Sequence, residues 1–272
     1  MKRSWIYIIL FLLSACAKET DWEAPGQGES FVVVEATITN ESKPQEVSLH
    51  YSMNDVSSDL LPLSGAEVII NDEDSSWLLL EDEQFAGRYF SQSDLVARTG
   101  RNYSLLVIYD GKILSAQASM VAGSAFNPLV YSKNEDNELY HIDYVASAFE
   151  AEDPAMWEVL LDWSEVPGYE DLDKSLTTKK LLFYTLTTLD VSQVFAPVVE
   201  EVSFPAGTII QQKRYSLTAE HAEFIRSLLL ETSWQGGVFP TDPANATTNI
   251  SGGGVGYFAV CAVNTLSLTV TP

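Results

Sequence analysis

The chain has 272 residues, 46% of them hydrophobic, with 38 acidic against 15 basic side chains and a formal net charge of −23. That length buries a sizeable core and suffices for two domains of ordinary size. A surface this acidic repels nucleic-acid phosphates and anionic headgroups, which excludes nucleic acid as an expected partner.

At the start of the chain, Lys2 and Arg3 precede an uncharged apolar run over residues 5–13. A span of a bilayer needs about 20 apolar residues, so the run is too short to cross one. It reads instead as a secretion signal over residues 1–15. Leu13-Ser14-Ala15-Cys16 closes it in the pattern of a lipobox, where the cysteine is acylated and the chain is cut just before it. Each buried acyl methylene contributes about 0.8 kcal/mol, so several chains on Cys16 would hold the protein to a leaflet. Residues 16–29 carry Glu19, Asp21, Glu23, Pro25, Gly26 and Gly28 and read as an acidic flexible tether. Acid close behind the anchor resembles the signal that sends Bacteroidota lipoproteins to the outer face of the outer membrane. The expected location is therefore the outer membrane, lipid-anchored. The leaflet face stays open, and the acidic run points to surface exposure.

Short strands are expected over residues 31–39, 46–52, 62–70, 77–81, 85–90, 103–109 and 112–120, with Asp110-Gly111 as a tight hairpin turn. Seven such strands predict an antiparallel β-sandwich over residues 30–122. The order SGAEVII at 64–70, GRYF at 87–90 and Gly100 before NYSLLV is similar to Ig-like domains of the transthyretin or carboxypeptidase-regulatory type. That resemblance implies a spacer or a binding module.

Residues 121–128 are mostly small and end in Pro128, which sets an expected boundary before a β-rich second domain, 123–272. Strands are expected at 140–149, 157–163 and 181–189, with a terminal pair over 257–270 around Asn264. One helix is predicted near 218–232, with Thr218 as N-cap and Glu220 and Glu223 in its first turns. Phe224, Ile225, Leu228 and Leu229 form its expected buried face. The fold class is thus mainly β: an N-terminal Ig-like β-sandwich, then a β-rich domain with one packed α-helix. Cys261, in the apolar run YFAVCAV, reads as a core residue, and with Cys16 as the only other cysteine no internal disulfide is expected.

Motifs for chemistry are sparse. His50, His141 and His221 are far apart and make no H-E-x-x-H, so a zinc hydrolase is not indicated. His221, in the first helical turn, is expected to be exposed or capping. No G-x-S-x-G elbow is present. Gly252, Gly253, Gly254 and Gly256 feed a strand, whereas a phosphate cradle must feed a helix N-terminus, so they read as a tight turn. Asn134, Asp136 and Glu138, and likewise Glu170, Asp171 and Asp173, offer hard oxygens that can hold calcium. Neither set fits an EF-hand loop, so solvated loops are the default and calcium stays open. No catalytic residue, metal or cofactor beyond the acyl lipid is expected. Trp234 and Phe239, in the long polar stretch 232–255, are candidate partner contacts, with a satellite core beneath the loop as the alternative for both rings.

One further stretch, TDPANATTNISGGGVGYF at 241–258, is similar to a Bacteroidota lipoprotein family catalogued as domain of unknown function 4249. The lipobox, LSGAEVII at 63–70 and the G-x-Y of GRYF agree with it. The resemblance implies an outer-membrane lipoprotein, often encoded beside a TonB-dependent transporter, with no catalytic residues to carry over. The expected function is a non-catalytic accessory or binding module at such a transporter, with ligand unknown. The alternative is a structural or adhesive envelope protein using the Ig-like domain as a stalk.

Overall fold

The computed structural model describes residues 30–53, 60–91, 95–190, 201–234 and 246–272. The secretion signal, Cys16, the tether and Phe239 lie outside the described residues. The strands are β1 (Val32–Thr39), β2 (Glu46–Tyr51), β3 (Glu67–Asn71), β4 (Ser76–Glu81), β5 (Arg88–Ser91), β6 (Asn102–Tyr109) and β7 (Lys112–Ser119). They continue as β8 (Val130–Lys133), β9 (Tyr140–Tyr144), β10 (Ala155–Asp162), β11 (Thr178–Thr185), β12 (Ile209–Ser216), β13 (Val255–Cys261) and β14 (Val263–Thr269). Among the described residues two helices interrupt them, a single turn α1 (Lys174–Thr177) and the longer α2 (Ala219–Glu231).

Eight strands form one sheet in the order β13-β1-β2-β5-β4-β3-β6-β7. Its two end strands approach each other at a bridge between Ser115 and Ser251, so the sheet is nearly closed, like a barrel. Alternation fills the inside: on β6, Tyr103, Leu105 and Val107 are buried while Ser104, Leu106 and Ile108 face outward. Val34, Ile38, Leu49, Ile70, Leu79 and Phe258 complete that core from the other strands. The β6–β7 turn is the expected one. Asp110 and Gly111 have φ of 45° and 71°, the pair of positive angles that a type I′ hairpin demands.

The strands expected for an Ig-like sandwich are present, and their hydrogen bonds run through this single sheet. An added feature is β13, which pairs parallel to β1 with Glu35 opposite Tyr257. The expected terminal pair of strands is therefore not a hairpin. The chain divides at Ala262, with β13 entering the first sheet and β14 pairing with β12 in a second sheet of order β11-β10-β12-β14. The division is held by Ser216 N donating to the Ala262 carbonyl (2.9 Å) and Val263 N donating to Asn40 Oδ1 (2.7 Å). Residues beyond 122 thus supply a strand to the sheet begun by residues 30–122.

The second sheet packs Trp157, Val159, Leu161, Trp163 and Ile210 with Phe204 and with Tyr140 of the β8–β9 hairpin. Its inner strand β12 has no counterpart among the expected strands, and the reason is physical. Three of its buried positions are polar, Gln212, Arg214 and Ser216, which masks the apolar alternation. Gln212 Oε1 accepts from Leu129 N (2.9 Å), and Arg214 pairs with Asp153 (2.6 Å) and donates to Ser216 Oγ (2.7 Å).

Candidate functional site

The long helix begins as its sequence predicts, with the Thr218 hydroxyl accepting from His221 N at 3.2 Å. Along β13, Phe258 and Val260 point into the barrel, while Ala259 and Cys261 point the other way and pack against Ala222, Ile225 and Leu229 of α2. The helix is therefore a roof over the outer side of β13. Cys261 is fully buried there, as a core residue.

His221 departs from expectation. Its first-turn position suggests exposure, yet the side chain is only 8% exposed, because the cap takes its backbone N–H and leaves the ring to pack inward. Its Nδ1 lies 3.7 Å from Cys261 Sγ. Burial pushes the His221 pKa down to about 4 and the Cys261 pKa up to about 12. Both are neutral near pH 7, so this is a packed pair and not a thiolate–imidazolium nucleophile.

The His221 ring stacks on Tyr257 (centroids 4.9 Å apart, planes 12°), and Tyr257 stacks on Phe224 (4.5 Å, 21°). This aromatic cluster divides two grooves that flank α2. Toward β7 lies one of about 300 Å³ and mixed polarity, with Gln117, Ser119, Glu220, Asn249, Ala259 and Val260 in its lining. Toward β1 lies one of about 360 Å³, walled by Val33, Glu35, Phe224, Leu228, Val255 and Tyr257. Leu228, expected in the buried face of the helix, is 41% exposed because it forms the wall of this second groove. The rim is tied to the helix by Thr247 N, which donates to Ser227 Oγ at 3.1 Å.

The seam between β7 and β13 is braced by one side chain. Asn249 Nδ2 donates to the carbonyls of Phe258 (2.8 Å) and Gln117 (3.3 Å), and its Oδ1 accepts from Phe258 N (2.9 Å). An amide side chain thus stands in for a missing strand. Two glycines beside it allow close approach. A Cβ on Gly252 would sit 2.1 Å from the Ile113 carbonyl oxygen, and one on Gly256 would sit 2.1 Å from that of Val34.

Residues 18–267 match the family described as "Domain of unknown function (DUF4249)". The chain belongs to that family. No curated protein matches the chain. The NISGGG motif of this DUF4249 protein now has a structural reason: Asn249 and Ser251 bridge the seam, and Gly252 lets the turn press on β7.

Away from the helix, the described residues leave the outer side of the same sheet uncovered. Leu80 lies across from Phe90 on β5, Leu78 across from Ile69, Ile69 across from Leu106, and Ile108 across from Ile113. These outward side chains form an apolar face in which Leu78, Leu80 and Ile113 are 51%, 43% and 57% exposed.

Trp234 does not offer the exposed ring expected of a partner contact. It is 7% exposed, its backbone N–H donates to the Leu229 carbonyl (2.9 Å), and it packs with the helix core. A tryptophan following a helix end folds back because its large apolar ring is better buried than solvated. Phe239, the other expected contact, lies outside the described residues.

The acidic clusters have local work. Asn134 Oδ1 accepts from Asp136 N (2.9 Å), Glu138 pairs with Lys133, Glu170 accepts from Gly168 N (2.7 Å), and Asp173 caps α1 by accepting from Ser175 N (2.8 Å). Among the described residues no three metal-ligating side chains gather. A larger cleft of about 760 Å³ between the two sheets is lined by three lysines that are all paired, Lys180 with Glu158 (2.5 Å) and both Lys43 and Lys213 with Glu41 (2.6 and 2.7 Å).

Proposed function

We propose that this protein is an outer-membrane lipoprotein, acylated on Cys16, that serves without catalysis or cofactor as an accessory or binding module of a TonB-dependent transporter. The observation that carries this reading is the apolar face over β3, β4, β6 and β7. Contiguous apolar surface on an otherwise acidic protein marks a place where another surface belongs. Confinement to one membrane raises the effective concentration of an anchored partner, so a face of modest size is enough for association. The finer fold reading belongs to the same proposal: the first seven strands derive from an Ig-like sandwich, and β13 has been added to their open edge. The division of the chain near residue 122 is then one of sequence order, with the second part reaching back into the first.

Affinity isolation of the intact lipoprotein from solubilised outer membrane, after cross-linking in cells, tests the reading. Recovery with a transporter supports it. Recovery of the lipoprotein alone overturns it and promotes the structural or adhesive alternative. In parallel, labelling with an alkyne fatty acid should mark the wild type and not Cys16→Ala, and equal labelling of both would remove the anchor.

A further inference from the structure

The groove between α2 and β1 has the more selective chemistry of the two that flank the helix. Leu228, Val33 and Val255 make its walls apolar, and Phe224 and Tyr257 contribute aromatic rings. Its one carboxylate is Glu35, which lies across from Tyr257 in the parallel pairing of β1 with β13. Among the described residues the Glu35 side chain has neither a hydrogen bond nor an ion pair. The adjoining cleft supplies no free cation to it, since Lys43 and Lys213 are both held by Glu41, at 2.6 and 2.7 Å, and Lys180 by Glu158 at 2.5 Å. An unpaired carboxylate attracts positive charge by Coulomb attraction, and the stacked rings beside it keep part of its surroundings apolar. The aliphatic wall favours hydrocarbon next to that charge. The field of a chain with net charge −23 concentrates cations at such a surface.

The occupant is a small molecule, not an extended peptide. Strand β1 is hydrogen-bonded on both sides, to β13 and to β2, so no free edge lies under the groove. A volume of about 360 Å³ is that of a small-ligand pocket. We propose that this groove binds a small organic cation, an ammonium or guanidinium group carried on an aliphatic or aromatic body, with Glu35 facing the charge and Phe224 and Tyr257 flanking it. The site is independent of the transporter reading, since it lies on the helix-covered side of the sheet.

The test uses the mature full-length protein with 2-phenylethylammonium as probe, followed by isothermal titration and ligand-observed NMR near physiological salt. The uncharged 3-phenylpropanol and the anion phenylacetate serve as comparisons. The expected result is binding of the cation at least about tenfold tighter than the alcohol, with no binding of the anion. Glu35→Gln should lower the affinity for the cation about tenfold while leaving that for the alcohol and the melting temperature unchanged. Glu67→Gln, an exposed acid on β3, four strands along the sheet from β1, should change none of these. No binding of the cation at millimolar concentration, equal affinity for cation and alcohol, or an equal loss in Glu67→Gln would each overturn the proposal.

Discussion

Along β13 the outer side of the eight-stranded sheet is roofed by α2, whereas along β4 it is bare. The two regions share a backbone arrangement and an alternating sequence, and they differ in what their outward residues meet. Ala259 and Cys261 meet Ile225, Leu229 and a neutral histidine. Leu78 and Leu80 meet solvent. The roofed side joins the two sheets, since its core also takes in Leu186, Tyr215 and Val263 from the second half of the chain. The bare side contributes nothing comparable to folding, so its apolar residues are free to serve a partner. Stability should therefore be lost on one side and association on the other.

The largest effect on stability is expected under the roof. Ile225→Ala removes buried methyl groups from a packed site and should cost about 2–5 kcal/mol, measured by urea denaturation. A loss below about 1 kcal/mol would mean that the helix is not a structural roof.

The pH dependence of the same core comes next. His221 has its pKa lowered to about 4 by burial, against about 6.5 in the unfolded chain, so between those values the unfolded state binds more protons. Stability contributed by the neutral ring is present above about pH 6.5 and is lost as pH falls toward 4, by up to about 3 kcal/mol. His221→Phe should abolish that part of the acid sensitivity, as read from the difference between the two proteins' stability–pH curves. Parallel curves would contradict the buried placement of the ring.

The smallest effect is expected at the groove wall. Leu228→Ala changes a side chain that is 41% exposed and should cost under about 1 kcal/mol. A loss equal to that of Ile225→Ala would show the two positions to be equally buried and would remove the groove.

Much of this fold is legible in the sequence where one local rule decides. Asp110-Gly111 announces its hairpin because few other pairs accept two positive φ angles, and Thr218 announces the helix because its hydroxyl satisfies an orphan N–H. Partnership is not local. Nothing in VGYFAVC tells β13 to pair with β1 rather than with β14, since both faces of the strand are apolar for different reasons. In β12, buried Gln212 accepts from Leu129 N and buried Arg214 pairs with Asp153, partners distant in sequence, so the strand does not look like one. His221 and Leu228 show the same limit within a helix. Position in a turn tells which residues are neighbours, but it does not tell which of them another element will cover. For that reason the candidate site is only partly legible: the sequence places Phe224 on the buried helix face and Tyr257 in a strand, and only the fold stacks them.

The central claim is that the bare face over β4 is for association and the roofed face is for stability. It is tested most directly by the combined variant Leu78→Thr, Leu80→Thr and Ile113→Thr, in which β-branched residues keep the strands favourable while removing the apolar surface. Melting temperature and recovery of the membrane partner after cross-linking in cells are measured together against the wild type. The account predicts a melting temperature within a few degrees of wild type, as for about 1 kcal/mol or less, and loss of most partner recovery. Undiminished recovery with a folded variant would contradict it, and so would early melting, which would place those three side chains in the core.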